Sequence, residues 1–124
     1  MSKPGKTGIA RVIDAFGYSM KGLAATWKFE AAFRQEVALG VVLTPIAFWL
    51  ATTHIELILL LSSIFWVWMA ELANSSVEAV VDRTGSERHE LSGRAKDIGS
   101  ALVFVSLVLL ALVWGIVAFH RFFG

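Results

Sequence analysis

The chain has no cysteine, which excludes disulfides, zinc–thiolate centres and cysteine nucleophiles. Charge is scarce as well: Asp, Glu, Lys and Arg make up 17% of the 124 residues, against about 25% in an average soluble domain. Net charge is only +1, so nothing in the bulk charge argues for a nucleic-acid partner. Histidine occurs three times, at His54, His89 and His120, too scattered to form one metal centre. Proline occurs twice, and only Pro45 falls inside a hydrophobic run. What the sequence has in abundance is apolar residues: they reach 56%, and mean hydropathy is +0.68. A soluble globule this small has too much surface to hide that much apolar material, and a disordered chain needs the opposite composition. The composition is that of a small integral membrane protein.

Three stretches carry the hydrophobicity. Val37–Thr53 has no residue of fixed charge, Leu57–Val77 has only Glu71, and Ile98–Phe119 has none. A membrane-spanning helix needs about 20 such residues. The first stretch reaches that length if its helix extends back through Phe33 and Ala32 to Ala31, and Pro45 should kink it, as membrane helices tolerate. The expected spans are about 31–53, 55–78 and 98–119. Trp49 and Trp114 suit the membrane interfaces, whereas Trp66 and Trp68 lie deeper and are expected to pack between helices.

Lys3, Lys6, Arg11, Lys21, Lys28 and Arg34 precede the first span, and Arg83, Arg88, Arg94 and Lys96 lie between the second and third. Ten of the eleven basic residues thus fall on one side. The positive-inside rule makes that side cytoplasmic, with the Thr52–Glu56 turn and the C-terminus opposite. The N-terminal stretch is too interrupted by charge to read as a cleaved signal peptide. Within it, Ile9, Ile13, Phe16, Met20, Leu23 and Trp27 recur at spacings of 4, 3, 4, 3 and 4, which is one apolar helical face. An amphipathic helix over about 7–28 follows, lying in the membrane surface or packed on other protein. Gly85 with Ser86, and Gly93, punctuate the segment between the second and third spans, where Glu90 and Arg94 form a helix-favouring pair. The fold class is an all-α membrane protein in one domain, 1–124.

Charges at membrane depth are the informative ones. Glu71 is an intramembrane carboxylate and so a functional candidate. Asn74, Glu78 and Asp82 continue its helix face. Glu30 and Glu36, with Arg34 between them, stand at the mouth of the first span on the same side. Carboxylates without cysteine suit a hard cation such as Mg²⁺, which at sites with few protein ligands completes its shell with water and nucleotide phosphates. Lys96 and the nearby arginines could meet those phosphates. Plainer readings remain open. Glu71 and Asn74 could bond neighbouring helices, Glu78 and Asp82 could be a solvated helix end, and His54 and His120 could be interfacial polar residues. Gly5-Lys6-Thr7 imitates the tail of a P-loop, but no upstream glycine or strand precedes it.

Three runs resemble one family closely: Glu30-Ala-Ala-Phe-Arg-Gln-Glu36, Glu71-Leu-Ala-Asn74-Ser-Ser-Val-Glu78-Ala-Val-Val-Asp82-Arg83, and Gly85-Ser-Glu-Arg-His-Glu-Leu-Ser-Gly-Arg-Ala-Lys96-Asp97-Ile-Gly-Ser100. With Gly8-Ile-Ala-Arg11 and Gly17-Tyr18-Ser19, they are similar to the integral-membrane diacylglycerol kinases of bacteria. The resemblance implies a homotrimeric helical bundle in the cytoplasmic (inner) membrane. It also implies transfer of the γ-phosphoryl of MgATP to diacylglycerol, with active sites shared between subunits. It makes Glu71 the general base, Glu30 and Glu78 the metal ligands, and Arg11, Tyr18, Glu30, Glu78, Glu87, His89, Lys96 and Asp97 the ATP-binding residues. Asn74 and Ser100 line the site. Phe29, Pro45 and Arg88 depart from the family pattern. The rivals are an undecaprenol kinase of the same architecture and, in a different class, a small oligomeric membrane transporter subunit. Full-depth polar residues would favour the transporter, but here the polar groups gather at one end.

Overall fold

The computed structural model describes residues 7–85 and 89–124, and every regular element among them is helical. Helix α1 covers Gly8–Phe29, α2 Ala31–Leu50, α3 His54–Thr84 and α4 Glu90–Phe123. The last three are long and apolar enough to cross a membrane, so the chain is a multi-pass membrane protein. It divides into two compact units, Met1–Ala31 and Ala32–Gly124.

In the first unit, α1 presents Ile9, Ile13, Phe16, Met20, Leu23 and Trp27, all exposed. Glu30 ends the helix by turning extended (φ −119°, ψ 104°), while its N–H still donates to Thr26 O at 2.9 Å.

In the second unit, α2, α3 and α4 run antiparallel to one another in chain order. Contacts between α2 and α3 pair residues of falling and rising number: the Trp68 indole donates to Glu36 O at 2.8 Å, and Trp68 and Ile64 crowd Gly40, where no Cβ would fit. Between α3 and α4, the Trp114 indole donates to Ser63 Oγ at 3.0 Å. Ala47, Leu50, Leu60 and Val117 form a buried cluster where the three helices meet. Helix α2 runs on through Pro45. Proline removes one backbone donor, and the neighbouring Thr44 hydroxyl donates to Gly40 O at 2.7 Å.

A tight turn joins α2 to α3. Thr53 caps α3 by accepting from Glu56 N at 3.1 Å. Glu56 Oε1 reaches back to accept from Thr52 N and Thr52 Oγ1, both at 2.7 Å. This is a reciprocal cap, shifted by one residue from the usual box. Glu56 Oε2 pairs with His120 Nδ1 at 3.2 Å, tying the end of α4 to the turn.

Two expectations need correction. Gly93 is not a turn residue: it lies inside α4, its N–H donating to His89 O at 3.0 Å. Helix α4 starts earlier because His89 caps it, Nδ1 accepting from Leu91 N at 3.0 Å. Trp114 is half-buried, and Ser63 offers its N–H a partner inside the bundle, as buried indoles require. Trp66 does not pack between the helices of its own chain. It is 53% exposed and walls an apolar groove of about 400 Å³ with Met69, Ala73, Leu102, Val105 and Leu109.

Candidate active site

The C-terminal half of α3 and the first turns of α4 carry the unit's polar interior. Helix periodicity brings Glu71, Asn74 and Glu78 onto one face of α3. Glu71 is only 5% exposed, the most deeply buried acidic side chain among the described residues. Asn74 Nδ2 donates to Glu78 Oε1 at 2.9 Å. Asn74 Oδ1 is buried against Gly99 of α4 and has no hydrogen-bond partner among the described residues. Glu36 Oε2, on α2, is the other such atom. One turn beyond Glu78, Asp82 Oδ1 pairs with Lys96 Nζ at 2.8 Å, joining α3 to α4. That hydrogen bond, and next the Asp82 charge itself, hold the Lys96 ammonium above its ordinary pKa. Slight desolvation works against the shift and the Glu78 charge adds to it.

The structure thus brings Glu71, Asn74, Glu78 and Lys96 to one end of the bundle. Asp97 and Ser100 are exposed on α4, near Gly99 in sequence. His89 is spent, in this arrangement, on the α4 cap. Arg11, Tyr18 and Glu30 belong to the first unit, where the Tyr18 ring lies 5.8 Å from Lys21 Nζ and Glu30 sits at the break after α1. Glu87 lies outside the described residues. Sequence reading missed Gly99. The available signal was a glycine inside a long helical run, which costs about 1 kcal/mol relative to alanine and so calls for a packing reason.

No group of three or more acidic, histidine or cysteine side chains assembles a metal cage among the described residues. The donors present still fit one kind of ion. Glu78 gives a carboxylate with one oxygen held by Asn74 and the other outside that bond. Hard, single carboxylate donors of this kind suit Mg²⁺, which keeps several waters and binds substrate phosphates rather than filling an all-protein cage.

An all-helical membrane protein with a carboxylate-rich polar end is the class that fold and site define. A family profile narrows it. That of prokaryotic diacylglycerol kinases matches residues 17–118, so the chain belongs to the prokaryotic diacylglycerol kinase family. It is 51% identical over 113 residues to the diacylglycerol kinase of Haemophilus influenzae, covering 91% of this chain and 96% of that one. It is 50% identical over 116 residues to that of Escherichia coli, covering 94% and 95%. It is 46% identical over 110 residues to that of Pseudomonas aeruginosa, covering 89% of each. Membership makes the chain a lipid kinase, an enzyme that takes a nucleotide together with a metal.

Proposed function

We propose that the chain transfers the γ-phosphoryl group of MgATP to the primary hydroxyl of diacylglycerol, giving phosphatidic acid. The observation that carries this reading is the buried Glu71 carboxylate, one turn from Asn74 and two from Glu78, which are themselves paired. Phosphoryl transfer asks a protein mainly for positioning and charge neutralisation. Glu71 supports the role of general base, a proton acceptor held in place away from bulk water. It takes the proton of the lipid hydroxyl as that oxygen attacks the γ-phosphorus and the bond to the β,γ-bridging oxygen breaks, releasing ADP. Glu30 and Glu78 are the carboxylates that would hold Mg²⁺, and the ion would offset charge on the nucleotide phosphates. Lys96 exchanges Asp82 for a phosphate oxygen. Arg11, Tyr18, Glu87, His89 and Asp97 contribute to ATP binding, and Asn74 and Ser100 line the site.

The reading places this end in the cytoplasm of a bacterial inner membrane, where ATP is. The charge asymmetry supports that orientation, and the exposed apolar face of α1 suits the adjacent membrane surface. Three thin helices cannot enclose both a nucleotide and a lipid headgroup, so the site is shared between the subunits of a homotrimer.

The deciding experiment gives purified protein labelled ATP, Mg²⁺ and either diacylglycerol or undecaprenol. Labelled phosphatidic acid is expected. Label on undecaprenol alone would replace the substrate, and no transfer to either would overturn the kinase reading. Orientation has its own test, made clean by the absence of native cysteine. Single cysteines at Thr84 and His54 should react with a membrane-impermeant thiol reagent in intact spheroplasts only at position 54. Reaction only at 84 would invert the topology. Subunit sharing predicts that inactive Glu71→Gln and Glu78→Gln chains regain activity when denatured and refolded together. If crosslinking finds mixed oligomers and activity stays absent, each chain builds its own site.

A further inference from the structure

The contact between Asn74 and Gly99 carries a role that the family assignment does not supply. Asn74 lies on α3 and Gly99 on α4, the two helices most closely packed in the unit. Gly99 is buried. A Cβ added to it would overlap Asn74 Oδ1 and stand only 3.3 Å from Asn74 Cγ. The overlap falls on a short side chain that cannot swing away freely, because its other end is engaged: Nδ2 donates to Glu78 Oε1 at 2.9 Å. The amide is therefore held between two helices, with its oxygen against the α4 backbone and its nitrogen on the carboxylate. Exchange of the two amide ends is disfavoured, since it would set Oδ1 against the Glu78 carboxylate. The α4 glycines differ sharply in this respect. Gly93 and Gly115 have nothing within 4 Å of a would-be Cβ, so neither is needed for packing among the described residues.

The geometry points to Gly99 as a positioning residue for the cation: by leaving room for Asn74, it fixes the Glu78 carboxylate in the orientation that receives Mg²⁺. It touches neither substrate nor metal and acts through Asn74. This rests on the reading of Glu78 as a metal ligand. Partners that orient a metal-binding carboxylate typically change metal affinity by about 10–100-fold when removed. The effect of an alanine at 99 should therefore appear in cation affinity, beyond any change in turnover.

The test is a double-mutant cycle on the full-length protein in lipid-containing micelles, with Gly99→Ala, Asn74→Ala and the double variant. Mn²⁺ binding in the presence of a non-hydrolysable ATP analogue is read by loss of the free-ion paramagnetic resonance signal, so no turnover is involved. Gly99→Ala should weaken Mn²⁺ binding by about tenfold. Asn74→Ala should do the same, and the double variant should be no worse than Asn74→Ala alone, because the overlap is gone. If Gly99→Ala does not fold, the double variant should fold again; a double variant that also fails to fold overturns the inference. So does a Gly99→Ala protein that folds and binds Mn²⁺ like the wild type, or a double loss equal to the product of the two single ones. Glu78→Gln separates the premise. If Glu78→Gln leaves Mn²⁺ binding unchanged, Glu78 is not a ligand, while non-additivity of Gly99→Ala and Asn74→Ala in thermal unfolding still establishes the contact.

Discussion

The two ends of the three-helix unit treat their polar atoms in opposite ways. At the turn end, Glu56 uses both carboxylate oxygens, one on Thr52 and one on His120, and Thr53 caps α3. The apolar cluster of Ala47, Leu50, Leu60 and Val117 packs beside them. At the other end, Asn74 Oδ1 and Glu36 Oε2 are buried without a hydrogen-bond partner among the described residues. Buried groups left in that state call for an explanation, and local rules are most often broken where a protein works. The turn end is closed by its own hydrogen bonds, whereas the polar end leaves two buried oxygens outside any among the described residues.

Substitutions at the two ends should therefore separate activity from stability. The largest effect is expected from Glu71→Gln, which should lower kcat by about 10²-fold or more with the thermal midpoint in detergent nearly unchanged. Near-wild-type kcat in the folded variant would remove Glu71 from the chemistry. Leu60, fully buried at the turn end, should behave in reverse. Leu60→Ala is expected to cost about 2 kcal/mol or more of unfolding free energy while kcat per folded enzyme holds, as measured by unfolding in mixed micelles alongside an activity assay. Thr53→Ala removes one cap and should cost about 1 kcal/mol, again without touching kcat; a loss of activity there would couple the two ends. The smallest effect belongs to Asp82→Asn. The Asp82–Lys96 pair is largely exposed, and exposed pairs contribute little. The raised Lys96 pKa gives stabilisation that is present below the ordinary lysine range and lost only as pH climbs through the raised value. Between pH 6 and pH 8 the thermal midpoints of wild type and variant should thus run parallel, and a gap that opens in that window would point to a different titrating group.

The presence of three long apolar helices was legible in the sequence because a bilayer imposes length and apolarity on each helix separately, and each can be read without knowing its neighbours. The face shared by Glu71, Asn74 and Glu78 was legible for the same reason, being a matter of spacing along one helix. What escaped was set across helices. Trp66 and Trp68 are two residues apart, yet only Trp68 meets α2; the choice depends on rotation of α3 against its neighbours. The seating of Asn74 on Gly99 depends on the α3–α4 register in the same way. The early start of α4 escaped for a local reason: histidine is not among the residues that usually cap a helix.

Helix α4 has 34 residues, or about 51 Å at 1.5 Å per residue, while a bilayer's hydrocarbon core is about 30 Å thick. Its first eight residues, Glu90–Asp97, hold the charges of that helix apart from those near its far end, and α3 runs on beside them to Thr84. Helix α4 is therefore too long for the hydrocarbon alone, and its charged Glu90–Asp97 stretch, tied to the end of α3 by the Lys96–Asp82 pair, is the part that a bilayer would leave to its headgroup layer. On the proposed function, that is the layer where a lipid's glycerol lies, so a substrate arriving by lateral diffusion would not have to be lifted from the membrane. Bilayer thickness would then act as a control on how the polar end and the lipid hydroxyl align.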